Sequence, residues 1–434
     1  MKRDFRIHQR WLAGTAIGLA ALAGWAHSGF AADAGASAQT LPRFVQADLG
    51  VPGVTLDERG ITVKSPDDAV RFRIGGRLQL DPGFGGTNPR IPDGFGSNIE
   101  VRRAWIETYL TINNAVELAF QYDLNTDRTP IQDAAIGYHG IKGLVVSLGN
   151  FKEPFSLQQL ISDNNTTFVE RALPDSLVPA RNTGFAVAGY GDRWTLAGGV
   201  FGGNINTGVE LGGIAGTVRA TYAPILSESE VLHLGVAGSF RSYDQNDRSL
   251  SFSSKPEEFI FQTTLINTST IRNANNLTRF GAEVAYQNGP LRVQGEYIRA
   301  DVGRSGALSG ATFEGGYVEG AWVINGKGRR YALNTDYGTD VAIFKGVQVG
   351  ETERVSRGGI GVFELAARYS ILNLKDGGIA GGVERDWTAG VNWYPDRNIR
   401  LMANYTHATA DGSPVVGGQR IEADIAEFRL QLYW

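Results

Sequence analysis

The 434-residue chain contains no cysteine, so neither a disulfide-stapled fold nor a thiolate zinc site is available to it. Histidine is almost as scarce. Beyond residue 31 only His139, His233 and His407 occur, and none lies in a nucleophile motif. There is also no P-loop. The sequence therefore reads as a non-enzyme that needs no metal and no cofactor. Lysine supplies only eight of the 41 basic residues. With 45 acidic residues the formal net charge is −4, which argues against a nucleic-acid partner. No stretch carries the roughly 18 consecutive apolar residues of a membrane-spanning helix. Proline is sparse at 15 while glycine reaches 57, alongside many Phe, Tyr and Trp. Such a balance suits strands and turns rather than disorder.

What is present begins with a basic head, Lys2, Arg3, Arg6 and Arg10, then an apolar run from Trp11 to Ala26 and a small-residue exit. This pattern reads as a secretory signal peptide over 1–31, cleaved after Ala31. Residues 32–68 then form a short periplasmic segment, and 69–434 a single large domain. One soluble core rarely grows to that size. A membrane barrel escapes the limit, because lipid covers its outside.

Alternation of apolar and polar residues runs through the domain. In "VRFRIGGRLQLD", Val70, Phe72, Ile74, Leu78 and Leu80 share one face, and Arg71, Arg73, Arg77 and Gln79 the other. Sixteen such segments follow one another to the terminal "EFRLQLYW". Each is near the ~9–11 residues of a tilted membrane strand. Short links such as "NN" at Asn113 and "NGP" at Asn288 alternate with long ones, the layout of bacterial outer-membrane barrels. Residues 325–361 break this rhythm. They occupy the place of a short turn, and "RRYALN" within them reads as a further strand, so the count carries an error of about two. The expected fold is all-β, a 16-stranded antiparallel transmembrane barrel with long extracellular loops, seated in outer-membrane lipid. Its last strand closes on the first, with Trp434 in the interfacial aromatic belt and in position to be read by the barrel-insertion machinery. A soluble sandwich or propeller is the bland alternative.

The inward faces carry Arg71, Arg73, Arg77, Arg103, Arg219, Arg241, Arg368, Arg400 and Arg429. Guanidinium forks match tetrahedral oxyanions, and rings of cations select anions. Glu107, Glu117, Asp123, Glu283, Glu296, Glu319 and Glu364 share the lumen, four of them on the tenth to thirteenth segments. A cationic sector is thus expected to face an acidic one. The link after the fifth segment, "FKEPFSLQQLISDNNTTFVERALPDSLVPARN", is expected to fold inward and narrow the pore, bringing Lys152, Arg171 and Arg181.

Taken in order, "RFRIGGRLQLD", "VRRAWIE", "FQYDLN", "LGNFKEPFSL", "FVERALP", "PARNTG", "VNWYPDRNIRLMANYTHA" and "RLQLYW" resemble the phosphate-selective porin O/P family over about residues 60–434. The resemblance implies a trimeric 16-stranded porin with an arginine ladder and a constricting third loop. It matches Arg77, Arg102, Arg103, Arg181, Arg219 and Arg241 to ladder or loop positions, Trp105 to a constriction aromatic and Asp123 to a nearby acid. Two departures bear on specificity. The strand of Arg219 carries one arginine where phosphate-specific members carry several, and a central loop lysine of those members falls at Gln159. The expected function is a passive, anion-preferring pore for phosphate, polyphosphate or similar oxyanions. A general diffusion porin of weak selectivity is the alternative.

Overall fold

The computed structural model describes residues 47–434 except 49–52, 58–59, 92–93, 126–129, 208–212, 244–247 and 307. The expected signal peptide, 1–31, and most of the expected periplasmic segment 32–68 lie outside the described residues. Among those described, sixteen antiparallel strands close into a barrel, numbered here in chain order. The first eight are β1 (Val70–Asn88), β2 (Ser97–Ile112), β3 (Val116–Asp123), β4 (Ile131–Ile141), β5 (Leu144–Lys152), β6 (Arg181–Tyr190), β7 (Trp194–Phe201) and β8 (Ile214–Leu226). The others are β9 (Glu230–Ser242), β10 (Ala274–Asn288), β11 (Leu291–Arg304), β12 (Ala311–Val323), β13 (Val362–Asp376), β14 (Ile379–Asp396), β15 (Ile399–Ser413) and β16 (Gln419–Tyr433). All sixteen alternating segments are wall strands. The extra strand suspected in 325–361 does not enter the wall.

Closure runs from Glu422↔Asn88 to Tyr433↔Arg77, and Trp434 then exchanges backbone hydrogen bonds with Gly76 (2.8 and 3.0 Å). Below that point β1 continues. Its residues Arg71 to Ile74 pair instead with the second arm of a small hairpin, Val54–Asp57 and Gly60–Lys64. A side chain at Gly76 would place its Cβ 2.6 Å from the Trp105 carbonyl and 2.7 Å from the Trp434 ring. Gly76→Val is therefore expected to obstruct closure at a cost of about 1–3 kcal/mol. A smaller folded, heat-modifiable fraction in gel mobility would show it.

The outward faces are apolar, with Leu291, Val293 and Tyr297 of β11 all exposed. Its inward face changes character along the strand. Arg292, Gln294 and Glu296 stand near the short-turn rim, and Ile298, Ala300 and Val302 toward the long-loop rim. The same change on β13 (Leu372, Leu374) and β16 (Ile421, Ile425) builds an apolar core inside the upper barrel. Phe252, Leu265 and Ile266 from the loop after β9, and Leu173 and Leu177 from the loop after β5, complete it. A sixteen-stranded barrel leaves an aqueous hole. Here part of that hole is a dry core.

Candidate functional site

Three segments enter the lumen. The first is loop 153–180 between β5 and β6, which carries a one-turn helix, α1 (Leu157–Leu160), and a 3-10 turn, Leu173–Leu177. Residues of the opposite wall hold it. Glu296 accepts from the first two α1 amides, Leu157 N (3.0 Å) and Gln158 N (2.7 Å), and from the Tyr317 hydroxyl (2.7 Å). Glu319 accepts from Gln158 (3.3 Å), Thr167 (3.2 Å) and Arg292 (3.1 Å). Arginines take the loop's carbonyls: Arg400 those of Thr166 (2.7 Å) and Thr167 (3.1 Å), Arg429 that of Val169 (2.6 Å), and Arg368 that of Glu170 (3.1 Å). Part of the acidic sector thus anchors a loop. Glu296→Ala leaves two helix amides and the tyrosine unsatisfied. A capping loss of about 0.5–2 kcal/mol should appear as noisier single-channel current and faster proteolysis within 153–180.

The second segment is the anomalous link 324–361. Lys327–Ala332 pairs with Ile343–Gln348 as a hairpin separate from the wall. It leaves the short-turn rim at β12 and crosses the lumen. At the far wall Gly338 N donates to Ser147 Oγ (2.8 Å), Thr339 Oγ1 to the Lys152 carbonyl (2.8 Å) and Tyr337 OH to Asp133 (2.9 Å). Arg219 donates to the Val341 (2.7 Å) and Ala342 (3.3 Å) carbonyls while paired with Glu283 (2.7 Å). Arg329 is bound by both oxygens of Glu364 (3.0 Å each). The third segment is 248–273, between β9 and β10, whose Glu257 accepts from Arg368 (2.5 Å) and Ser370 (2.5 Å) of the wall.

What remains is a face formed by β1, β2, β4 and β6 against loop 153–180. Two consecutive arginines of β2 both point inward there, which a regular strand forbids. A bulge explains it. Gln79 pairs with Arg103 and Leu80 with Val101, so Arg102 is the extra residue and joins Arg103 inside. Arg102 is bidentate on Glu170 (2.7 and 3.1 Å). Arg103 donates to Gln79 (2.8 Å) and lies 3.5 Å from Asp163, which Arg171 also holds at 2.6 Å. Arg77 binds Glu107 (2.7 Å) and stacks on Trp105 at 4.1 Å; Arg181 binds Asp133 (2.7 Å) and approaches the same ring at 5.7 Å. Arg73 lies over Tyr109 at 4.1 Å. It opens onto a cavity of about 540 Å³ at the short-turn rim, shared with Glu107, Arg330, Lys345 and Arg397. Burial works to raise the loop carboxyls Asp163 and Glu170. The surrounding arginines outweigh it, joined by Lys152 at Asp163, and hold both well below the usual carboxylate range.

Water reaches this face and not the anchors. Side-chain exposure is 16% for Arg181, 14% for Arg171 and Glu107, 10% for Arg102, 7% for Arg103 and 5% for Arg77. It is 1% for Arg219, Arg368 and Arg400, and 0% for Arg429, which is clamped by Asp81 (2.8 and 2.6 Å). Of the residues singled out in the sequence, Arg73, Arg77, Arg102, Arg103, Arg171, Arg181 and Trp105 gather on the wet face. Arg71 sits at the rim on Asp68 (3.1 Å). Arg241 lies across the loop, on Glu153 (2.9 Å) and the Gly202 carbonyl (2.9 Å). Lys152 donates to the Leu160 (3.1 Å) and Ile161 (3.3 Å) carbonyls at the end of α1. Asp123 accepts from the Ala104 (3.2 Å) and Asn125 (3.0 Å) amides. Sequence reasoning missed the anchoring roles of Glu296, Glu319, Arg292 and Arg329. The broken loop rhythm at 325–361 signalled that something else fills the pore.

A closed sixteen-stranded barrel with apolar outer faces, narrowed from within by its own loops, is a bacterial outer-membrane porin. The chain belongs to the phosphate-selective porin O and P family, whose profile matches residues 72–434. It is 24% identical to Porin O of Pseudomonas aeruginosa over 425 residues, covering 86% of this chain and 91% of that one. It is 27% identical to an uncharacterized protein of Caulobacter vibrioides over 382 residues, 83% and 73% of the two chains. Among solved structures, OmpT of Vibrio cholerae superposes with a TM-score of 0.52 at 13% identity, over 86% of this chain and all of that one. An anion-selective porin from Comamonas acidovorans gives 0.51 at 10% identity, over 84% and 100%.

Proposed function

We propose that the pore conducts small anions passively and prefers phosphate-like oxyanions. The path runs along the wet face of β1, β2 and β6. One observation carries this reading: six arginines (Arg73, Arg77, Arg102, Arg103, Arg171, Arg181) stand there against four carboxylates (Glu107, Asp133, Asp163, Glu170). Spreading the excess over several forks lets an anion shed water and still leave. The Comamonas porin is described as anion-selective, which supports the reading. The assembly we propose is a homotrimer in outer-membrane lipid, inserted by machinery that reads the terminal β16; in vitro folded OmpT of Vibrio cholerae has a trimer form. A pore of this kind needs no catalysis.

The alternative of a weakly selective diffusion pore is favoured by a different observation. Among the described residues, fifteen buried carboxylate side chains stand against twelve buried cationic ones. The two readings part in planar bilayers. Under a salt gradient, an anion-directed reversal potential together with block of chloride current by millimolar phosphate supports the first. A reversal potential near zero without phosphate block supports the second.

A further inference from the structure

The outer wall does not end the same way all round. On β14, β15 and β16 the outward positions form ladder rows, read here from the short-turn rim upward. Trp393, Leu401 and Leu430 make one row, Val391, Ala403 and Phe428 the next, and Ala389, Tyr405 and Ala426 the third. Above them stand Trp387, His407 and Asp424, then Arg385, Thr409 and Glu422, with Asp411 and Arg420 beyond. The Trp387 ring lies 4.6 Å from that of Tyr369 on β13. Apolar rows, then aromatics, then charge is the order expected where hydrocarbon gives way to headgroups, because a lipid-facing charge is costly deep in the bilayer and cheap at its boundary.

Other strands stay apolar over the same span. Strand β2 is longer than β15 (16 against 15 residues), yet its outward Val101 and Ile99 are apolar and exposed. Ile214 of β8 and Phe240 of β9 are likewise exposed toward the long-loop rim. Wall height therefore does not account for the charge on β14–β16. A headgroup held locally against these three strands does.

The charged rows are arranged to receive one. Asp411 accepts from Arg385 Nη1 (2.8 Å) and Arg420 Nη1 (3.3 Å), and Glu422 from Arg420 Nε (3.2 Å). Asp424 is taken by the Tyr405 hydroxyl (2.7 Å) and by His407 Nδ1 (2.8 Å). One carboxylate thus holds two guanidinium forks side by side on the lipid-facing surface, with side chains 39% and 56% exposed. Among the described contacts Arg385 spends one nitrogen and Arg420 two. All three carboxylates are engaged within the cluster, whereas each fork keeps donors of the kind that phosphate oxygens accept from. Exposed ion pairs are worth little, so they yield readily to such a ligand.

We propose that the outward face of β14–β16 seats a lipid with a phosphorylated headgroup. Its phosphate lies on Arg385 and Arg420, and its acyl chains run down over Tyr405, Ala403 and Phe428. The occupant is a lipid rather than a free ion because the forks stand directly above an apolar surface, and only a ligand with both parts gains from both. The proposal takes the chain to be a barrel in outer-membrane lipid and does not depend on which ion the pore prefers.

The test uses the full barrel in a zwitterionic detergent and measures lipid binding by native mass spectrometry. The probes are a bis-phosphorylated acylated disaccharide and the same lipid with its phosphates removed. The phosphorylated form should bind at least about tenfold more tightly, and Arg385→Gln with Arg420→Gln should weaken it about tenfold. Single-channel conductance of that double variant should stay at the parent value, since both side chains lie outside the lumen. Arg299→Gln, which removes an outward charge of β11 paired with Asp301, should leave lipid affinity unchanged. Millimolar inorganic phosphate should not displace the lipid. Equal binding of the two lipids overturns the proposal, as does equal binding by the parent and the double variant. Displacement by inorganic phosphate would also overturn it, because the site would then hold the ion alone. If the double variant yields no heat-modifiable barrel, Arg420→Gln alone is measured on the same criterion.

Discussion

Replacing Arg77 and Arg103 with alanine should lower the anion/cation permeability ratio about tenfold, equivalent to ~1.4 kcal/mol. The loss exceeds two positive charges because each arginine shields a carboxylate. Without Arg77, Glu107 faces the path unpaired; without Arg103, Asp163 and Glu170 each lose a cationic neighbour. A unit charge about 4 Å from a permeating ion is worth ~1 kcal/mol in water and ~4 kcal/mol near a protein surface, so a factor of ten is within reach. Neutralising Arg248, on the loop after β9, should leave the ratio unchanged, since salt screens such a charge beyond ~8–10 Å. Reversal potentials under a salt gradient measure both. If the double variant keeps the wild-type ratio, Arg77 and Arg103 are wall residues and the weakly selective pore is the better description.

Shortening 327–360 to an Asn-Gly turn should raise single-channel conductance roughly two- to fivefold, because an unfilled sixteen-stranded barrel holds an open channel. All sixteen wall pairings survive the deletion, so the heat-modifiable band should persist. Arg219 would lose the Val341 and Ala342 carbonyls but keep Glu283. His233 would lose the Tyr331 hydroxyl at 2.6 Å. The structure predicts that selectivity falls less than resistance, since the wet face is built mainly from β1, β2, β6 and loop 153–180. Unchanged conductance would mean that the hairpin does not limit flow.

The wall was legible because a period of two survives wherever one face meets lipid. Every alternating segment of the sequence is a strand of the barrel. The interior was less legible for a specific reason. Phase tells which side chains point inward but not what fills the inside. Arg219, Arg368, Arg400 and Arg429 share the phase of Arg77 and Arg103, yet they bind loop carbonyls in dry surroundings. What separates the groups is the path of loops with no periodicity of their own. Strand β2 shows a second limit. Phase admits only one of Arg102 and Arg103, and it is the bulge that brings in both. The inward aliphatics were visible after all: in "EYIRADV" and "RIEADIAEF" the inward phase turns apolar (Ile298, Ala300, Val302; Ile421, Ala423, Ile425) while the other face carries Arg299, Asp301, Glu422 and Asp424, a reversal that a purely aqueous lumen would not require.

The small hairpin beside β1 has a consequence for how the seam finds its register. Strand pairing alone would let β16 slide two residues toward the short-turn rim and keep every side chain on its proper face. Ile61 to Lys64 already hold the β1 edge from Ile74 to Arg71, so such a slip, which would carry Trp434 from Gly76 to Ile74, must first break the Ile61↔Ile74 pair at the end of that ladder. The hairpin is a mechanical stop. It sets where the final strand halts, and hence the shear of the barrel and the height at which Asp81 meets Arg429 across the seam.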